Sequence, residues 1–417
     1  MKRWRGVALA ALTTVCGCGN GSMAGVPSLS NRDLSPSSDV APRRSQFPPT
    51  PSGIHLNLVF NYLVKNLQRE VGLVDIVWGA GAPRPKQVAN QFYTPFERDG
   101  PYGERAHSVG WWKANHPDWI EYRCDRTRIA FEYGERNVPF DIANPKALDY
   151  QRAVAVDPAI DAGYQGVDFD NLALSNYSHR CGHYSTSGEW VAQYTGDYVD
   201  PAYSADVLAW AHGTFSHIHG FSKTAIMAIN FSYDANFDAA RNDDLATHTD
   251  EVLDEGGFTN YGTAGHNVTN PGQWRHIKGM IGAIQTNGGC YMENGEEPGL
   301  SKDISQAERL WVVANYLLIR NDCTYVWMSG FTKTGAQDYG RILLYPEYRL
   351  AVGKPVGAAT RVARAWERIY SGGLTLVNPT KAPTTVKLSH RYVDENGNAY
   401  SGSIALPATT GQILLLK

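Results

Sequence analysis

Two acids, two residues apart, close the segment Gly163-Tyr164-Gln165-Gly166-Val167-Asp168-Phe169-Asp170-Asn171. A glycine turn leads there into a short apolar run that ends in carboxylates. Side chains alternate along a strand, so Asp168 and Asp170 point the same way. Asp170, at the outer end, is placed to meet a ligand; Asp168, one step deeper, is placed to orient a neighbour. A second acidic group stands at Asp254-Glu255-Gly256-Gly257-Phe258. Cleaving the bond between two sugars takes two flanking carboxyls, one as nucleophile or base and one as proton donor. Glu255 is the choice for the donor, because it reaches further and an apolar shell would raise its pKa towards neutrality. Asp254 and Glu251 stay open as rivals, since spacing does not fix the strand register.

Other polar and aromatic residues fall at the ends of, or within, apolar runs. Asn171 follows Asp170, Asn230 ends Thr224–Asn230, Tyr261 follows Val252–Asn260 and Gln285 ends Met280–Gln285, while Trp78 and Trp327 lie inside such runs. Amides hydrogen-bond hydroxyls and rings stack on sugar faces, so this set suits a neutral polyol. Rival chemistries lack their signatures. There is no G-x-S-x-G elbow and no phosphate loop. His212, His217 and His219 have spacings of five and two on one expected helix, so they do not share a face. Cys181-Gly182-His183 reads as a disulfide cysteine followed by a loop histidine. No metal and no cofactor are expected. Lys plus Arg number 38 against 41 Asp plus Glu, a net charge of -3, which leaves no basic excess for nucleic acid.

These residues need a frame that brings distant strand ends together. Apolar, β-branched or aromatic runs near Ile54–Tyr62, Val71–Gly79, Val138–Ile142, Gly166–Asp170, Thr224–Asn230, Val252–Asn260, Met280–Gln285 and Cys323–Ser329 read as eight strands. Tyr203–His219 and Ile304–Arg320 carry apolar residues near a 3.6 period and read as helices. That alternation predicts a (β/α)8 TIM barrel, with reactive groups at the C-terminal ends of its strands. The rival doubly wound sheet lacks its Gly-rich loop after the first strand. From about Thr360 the runs become short and alternate, with turns at Asn378-Pro379 and Glu395-Asn396-Gly397-Asn398, which predicts a small antiparallel β-sandwich. The expected catalytic barrel spans 53–358 and the β domain 359–417.

The start of the chain predicts export. Lys2, Arg3 and Arg5 precede the apolar run Val7–Val15, too short to span a bilayer and suited to a signal peptide over residues 1–24. Val15-Cys16-Gly17-Cys18 resembles a lipobox, which would make Cys18 a lipid-bearing terminus of bacterial type. Ser22-Met23-Ala24 is the alternative cleavage site, giving a secreted or periplasmic product. Residues 25–52, rich in Ser, Pro, Arg and Asp, read as a flexible tether. Four later cysteines in an exported chain suggest two disulfides, expected as Cys124–Cys181 and Cys290–Cys323. The expected partner is a carbohydrate substrate, with membrane contact only through the N-terminal lipid, and a monomer.

The segment Gly163–Asn171 is similar to the fourth-strand segment of the glycosyl-hydrolase-like family 15 proteins, and more distantly to endo-polygalactosaminidase-type barrels. His116-Pro117-Asp118-Trp119 and Asp141-Ile142-Ala143-Asn144-Pro145 resemble segments that precede it there. Ala314-Asn315-Tyr316-Leu317-Leu318 and Leu376-Val377-Asn378-Pro379-Thr380 resemble a late helix and the start of the β appendage. The likeness covers roughly residues 54–417. It implies a glycosidase barrel in which Asp170 is the nucleophile and a sixth-strand acid, matched here by Glu255, is the proton donor of a retaining enzyme. The cysteine-containing loops depart from the pattern. A non-catalytic carbohydrate-binding protein on the same barrel is the alternative.

Overall fold

The computed structural model describes residues 54–59, 73–80, 89–95, 99, 107–131, 138–262, 268, 270–331, 339 and 342–417. The expected leader and tether lie outside the described residues.

Eight strands form one parallel sheet: β1 Asn57–Leu58, β2 Ile76–Ala80, β3 Ala89–Pro95, β4 Gly166–Asp170, β5 Ile226–Asn230, β6 Glu251–Glu255, β7 Cys290–Pro298 and β8 Thr324–Phe331. They neighbour one another in chain order. A parallel bridge from Leu56 to Val326 joins the last strand to the first, with the Val326 N–H donating to the His55 carbonyl at 3.0 Å. This is the expected TIM barrel. Register places Asp168 opposite Ala228, Ala228 opposite Glu251, and Glu255 opposite Asn294. Alternation therefore puts Asp168, Asp170, Asn230, Glu251, Glu255 and Asn294 on the inner face. The intervening residues face the helices; the Phe169 ring meets Trp210 at 4.9 Å, edge to face.

Two strand assignments are corrected. The third strand is Ala89–Pro95, and Val138–Ile142 belongs to an insertion instead, where Phe140 bridges Ile120. Met280–Gln285 is the end of the helix Pro271–Thr286, and the seventh strand is Cys290–Pro298. The helix is dictated by Trp274, Ile277, Ile281 and Ile284, which share one buried face, and by Asn270, which caps it by accepting from the Gly272 N–H at 2.9 Å. β7 escapes pattern reading because Glu293, Asn294, Glu296 and Glu297 disguise a strand buried on both faces.

The helices Pro201–Phe221 and Gln306–Ile319 fall where expected. Asp200 caps the first ahead of Pro201, and a reciprocal Ser305–Glu308 pair caps the second. The long connections around β4 carry a three-stranded antiparallel sheet, Tyr122–Arg123, Arg180–Tyr184 and Trp190–Ala192, which the sequence reading did not anticipate. Trp112, Trp119, Tyr122 and Phe140 form its separate core. Cys124–Cys181 staples this insertion with Cα atoms 5.0 Å apart, and Cys290–Cys323 joins the starts of β7 and β8 at 4.8 Å. Both are the expected pairs.

From Thr360 to Leu416 a six-stranded and a two-stranded antiparallel sheet enclose Leu374, Leu376, Val386, Ile404 and Leu414. This β unit rests on the helix Gln306–Ile319, where the Tyr370 hydroxyl donates to the Leu317 carbonyl at 2.6 Å.

Candidate active site

β4, β5 and β6 deliver Asp170, Asn230 and Glu255 to the same end of the barrel. One side-chain amide joins them. Asn230 Nδ2 donates to Asp170 Oδ1 at 2.9 Å and to Glu255 Oε2 at 2.6 Å. Those two oxygens therefore lie no more than 5.5 Å apart, the two bonds laid end to end. With the amide hydrogens about 120° apart, the separation is about 4.8 Å. Tyr93 Oη holds the other oxygen of Asp170, donating to Oδ2 at 2.6 Å. The second oxygen of Glu255 meets the Tyr339 hydroxyl, which also touches Glu296 Oε1 from β7. A phenol has one proton, so one of these contacts runs the other way, from a protonated carboxyl to the phenol oxygen. Glu296 fits that role: burial, and then the charge of Glu255, push its pKa well above the usual carboxylate range.

Burial also sets the other two carboxyls. It raises Asp170, against the hydrogen bonds from Tyr93 and Asn230 that favour the ionised form. Burial first, then the charge of Asp170, push Glu255 up to about 7. The arrangement can hold one carboxylate and one protonated carboxyl side by side near neutral pH. The chain leaves β6 through Gly256 and Gly257, at φ 102° and 44°. A Cβ on Gly257 would come within 2.9 Å of Glu293 Cγ, so glycine is required for this turn.

The rivals of Glu255 are elsewhere. Asp254 faces outward, accepting from the Ser232 hydroxyl at 2.6 Å and from Tyr291 at 3.0 Å. Glu251 is buried at the far end of β6. Asp168 is fully buried below Asp170 and accepts from the Gly79 N–H at 2.6 Å, fixing the backbone where β2 bulges. Burial pushes its pKa well up.

Asn171, in the left-handed region at φ 64°, lines the cleft above the carboxyls. That cleft is about 390 Å³ and is walled by Asn171, Leu172, Tyr177, Tyr198, Asn230 and Glu255. Trp78 and Trp327 are 0% and 1% exposed. They pack against Tyr93 at 6.0 Å and Tyr348 at 6.1 Å, so core packing accounts for both. Gln285 is not near the cleft. Its helix places the amide against the Ile319 carbonyl at 2.7 Å and Thr324 Oγ1 at 3.0 Å, at the start of β8, the opposite end of the barrel from Asp170. The Tyr261 side chain lies outside the described residues.

Sequence reasoning missed Tyr93, Glu296, Tyr339, Tyr177 and Tyr198. Tyr93 and Glu296 sit on the two misassigned strands. The other three are on connections, where period gives no guide. Tyr177 and Tyr198 are 48% and 36% exposed and meet edge to face at 5.0 Å. The helix histidines each pair with a different carboxylate: His212 with Asp244 at 3.0 Å, His217 with Asp157 at 2.7 Å and His219 with Asp250 at 3.0 Å.

Among solved structures, the chain is similar to Amy13B of Eubacterium rectale at 10% identity, covering 90% of this chain and 99% of that one, TM-score 0.48. The noncanonic maltogenic alpha-amylase AmyB from Thermotoga neapolitana shares 12% identity over 88% and 99% of the two chains, TM-score 0.44. The glycoside hydrolase domain of PelA from Pseudomonas aeruginosa shares 12% over 69% and 96%, TM-score 0.41. No curated protein sequence matches the chain. A family model described as hypothetical glycosyl hydrolase family 15 matches residues 86–374, more than two thirds of the length. A barrel with paired carboxyls at its mouth is thus matched by a family model that spans Asp170, Asn230 and Glu255, and the chain belongs to hypothetical glycosyl hydrolase family 15.

Proposed function

We propose that this glycoside hydrolase is exported and cleaves an oligo- or polysaccharide with retention of configuration, Asp170 acting as nucleophile and Glu255 as acid and base. The observation that carries this reading is the shared Asn230 amide, which holds an oxygen of each carboxyl within 5.5 Å of the other. Carboxyl groups about 5–5.5 Å apart suit direct attack on the sugar, whereas about 6.5–9.5 Å leaves room for an intervening water, and one amide that reaches both carboxyls supports the closer pairing. Asp170, ionised and steered by Tyr93 and Asn230, attacks the anomeric carbon as the bond to the leaving oxygen breaks. Glu255, at about 7, gives that oxygen its proton. The ionised Glu255 then takes a proton from water, which attacks the anomeric carbon and frees Asp170. Two inversions give net retention.

The exposed rings of Tyr177 and Tyr198 and the amide of Asn171 are the proposed sugar contacts in the cleft. Asp168 is a positioning residue through Gly79. Barrel and β unit are proposed as two domains, 53–358 and 359–417. Export is supported by two disulfides and by the basic and apolar start of the sequence, with Cys18 as the proposed lipid site. Among the described residues no helix is long and apolar enough to cross a membrane.

The test is a panel of polysaccharides assayed for new reducing ends, with wild type beside Asp170→Asn. Release by wild type and loss by about 1000-fold or more in the variant supports the reading. Binding to a polysaccharide without release by either protein would favour the non-catalytic alternative.

A further inference from the structure

Away from the barrel mouth, three segments of the insertion bring Glu121, Asp141 and His183 together. One ligating atom from each lies within 4.8 Å of the others. Glu121 is 0% exposed, and neither of its carboxylate oxygens has a hydrogen-bond partner. An unpartnered carboxylate so deeply buried is costly unless a cation or a proton answers it. Its neighbours are already engaged with one another. Asp141 Oδ1 accepts from the Ala143 N–H at 2.9 Å, and Oδ2 accepts from Gln193 Nε2 at 2.8 Å. His183 Nδ1 lies 3.0 Å from Gln193 Oε1 and 3.4 Å from Asp141 Oδ2. Neither Gln193 nor His183 reaches Glu121 with a hydrogen bond.

The backbone around the cluster is fixed. The Glu121 N–H donates to the Pro139 carbonyl at 2.8 Å, and the Asp141 N–H to the Trp119 carbonyl at 2.8 Å. Gly182, beside His183, pairs with Tyr122, beside Glu121. Cys124–Cys181 clamps the same strands. The three side chains thus converge from rigid supports, as a metal site requires.

We propose that Glu121, Asp141 and His183 form a structural site for a divalent cation of the zinc or manganese class. Two carboxylate oxygens and one imidazole nitrogen suit a borderline ion; Ca²⁺ and Mg²⁺ prefer shells made wholly of oxygen. The cation neutralises Glu121 and ties residues 121, 141 and 183 of one insertion. That insertion also presents Tyr177 and Tyr198, whose segments are joined by the Asn176 N–H donating to the Tyr198 carbonyl at 2.8 Å. The ion therefore stiffens one wall of the sugar cleft.

A second cluster, His212, Asp244 and His248 on the outer helices, supplies the control. It is half-exposed, and, unlike Glu121, none of its side-chain atoms is both buried and unpartnered.

The untagged protein is stripped with EDTA, dialysed, and titrated calorimetrically with Zn²⁺, Mn²⁺, Ca²⁺ and Mg²⁺ in turn, with melting followed by intrinsic fluorescence. The expected result is one Zn²⁺ or Mn²⁺ per chain at this site and a melting rise of about 3 °C at hundredfold saturation. Glu121→Gln and His183→Ala should each weaken that binding by about 100-fold, while His248→Ala leaves it unchanged. His183 is only partly buried, so its variant keeps the test alive if Glu121→Gln does not fold. Absence of binding and of any melting shift overturns the proposal and leaves Glu121 as a protonated carboxyl. Binding lost in His248→Ala but kept in His183→Ala overturns it too, as does a preference for Ca²⁺ over Zn²⁺ and Mn²⁺.

Discussion

Replacing Asn230 by alanine removes, in one step, the group that touches both carboxyls. Its amide donates to Asp170 at 2.9 Å and to Glu255 at 2.6 Å. Each bond favours the ionised form of its acceptor and so opposes the upward push of burial. With both bonds gone, Glu255 rises from about 7 and Asp170 rises with it. The sign of the effect follows. The proton donor stays protonated to higher pH, and the nucleophile needs higher pH to ionise. Both limbs of the kcat/KM profile should move to the alkaline side, as the macroscopic values of a coupled pair. A hydrogen bond to a charged acceptor is worth about 1.5–3 kcal/mol, which corresponds to about 10- to 100-fold in turnover. The assay is the pH dependence of kcat/KM on any substrate found in the panel, for wild type and Asn230→Ala, with circular dichroism to verify folding. An alkaline limb that stays put or moves down, or a loss under about 2-fold, would refute the reasoning.

Tyr177→Ala and Tyr198→Ala should each raise KM on a polymeric substrate by up to about 10-fold, the worth of one ring contact, and spare kcat on a small activated glycoside. Gln285→Ala should lower stability by about 1–2 kcal/mol in urea melts and leave KM unchanged, because its bonds to Ile319 and Thr324 tie helix to strand far from the cleft. Cys290→Ser should cost about 2–4 kcal/mol by opening a closure of 33 residues; equal melting of the variant and the oxidised wild type would contradict that.

The parts of this fold that could be read from sequence are those where local chemistry and tertiary role agree. β4 is short, apolar and ends in Asp170, so its inner face and its terminal acid follow from alternation alone. The helix Pro201–Phe221 announces itself through Asp200, Pro201 and a 3.6 period. β7 could not be read this way. Its Glu293, Glu296 and Glu297 look solvent-facing, yet all three are buried, Glu296 against the Tyr339 hydroxyl and Glu293 beside the turn at Gly257. Apolar Met280–Gln285 took its place in the count, although its buried residues repeat at helical spacing. The expected disulfide Cys124–Cys181 forms, and its setting is the inserted sheet, which no spacing in the sequence foretells. Glu121, Asp141 and His183 are 62 residues apart from first to last, and no spacing rule joins three antiparallel segments across such a distance.

The central claim is that Asp170 attacks the sugar while Glu255 handles the proton. Intact-protein and peptide mass spectrometry of Glu255→Gln, incubated with an activated glycoside of the sugar found by the panel, tests it most directly. The variant still forms the intermediate from a good leaving group but hydrolyses it slowly. The account predicts a mass increase of one glycosyl residue, mapped to Asp170. An adduct on any other residue, or no adduct together with release of the inverted anomer, would contradict it.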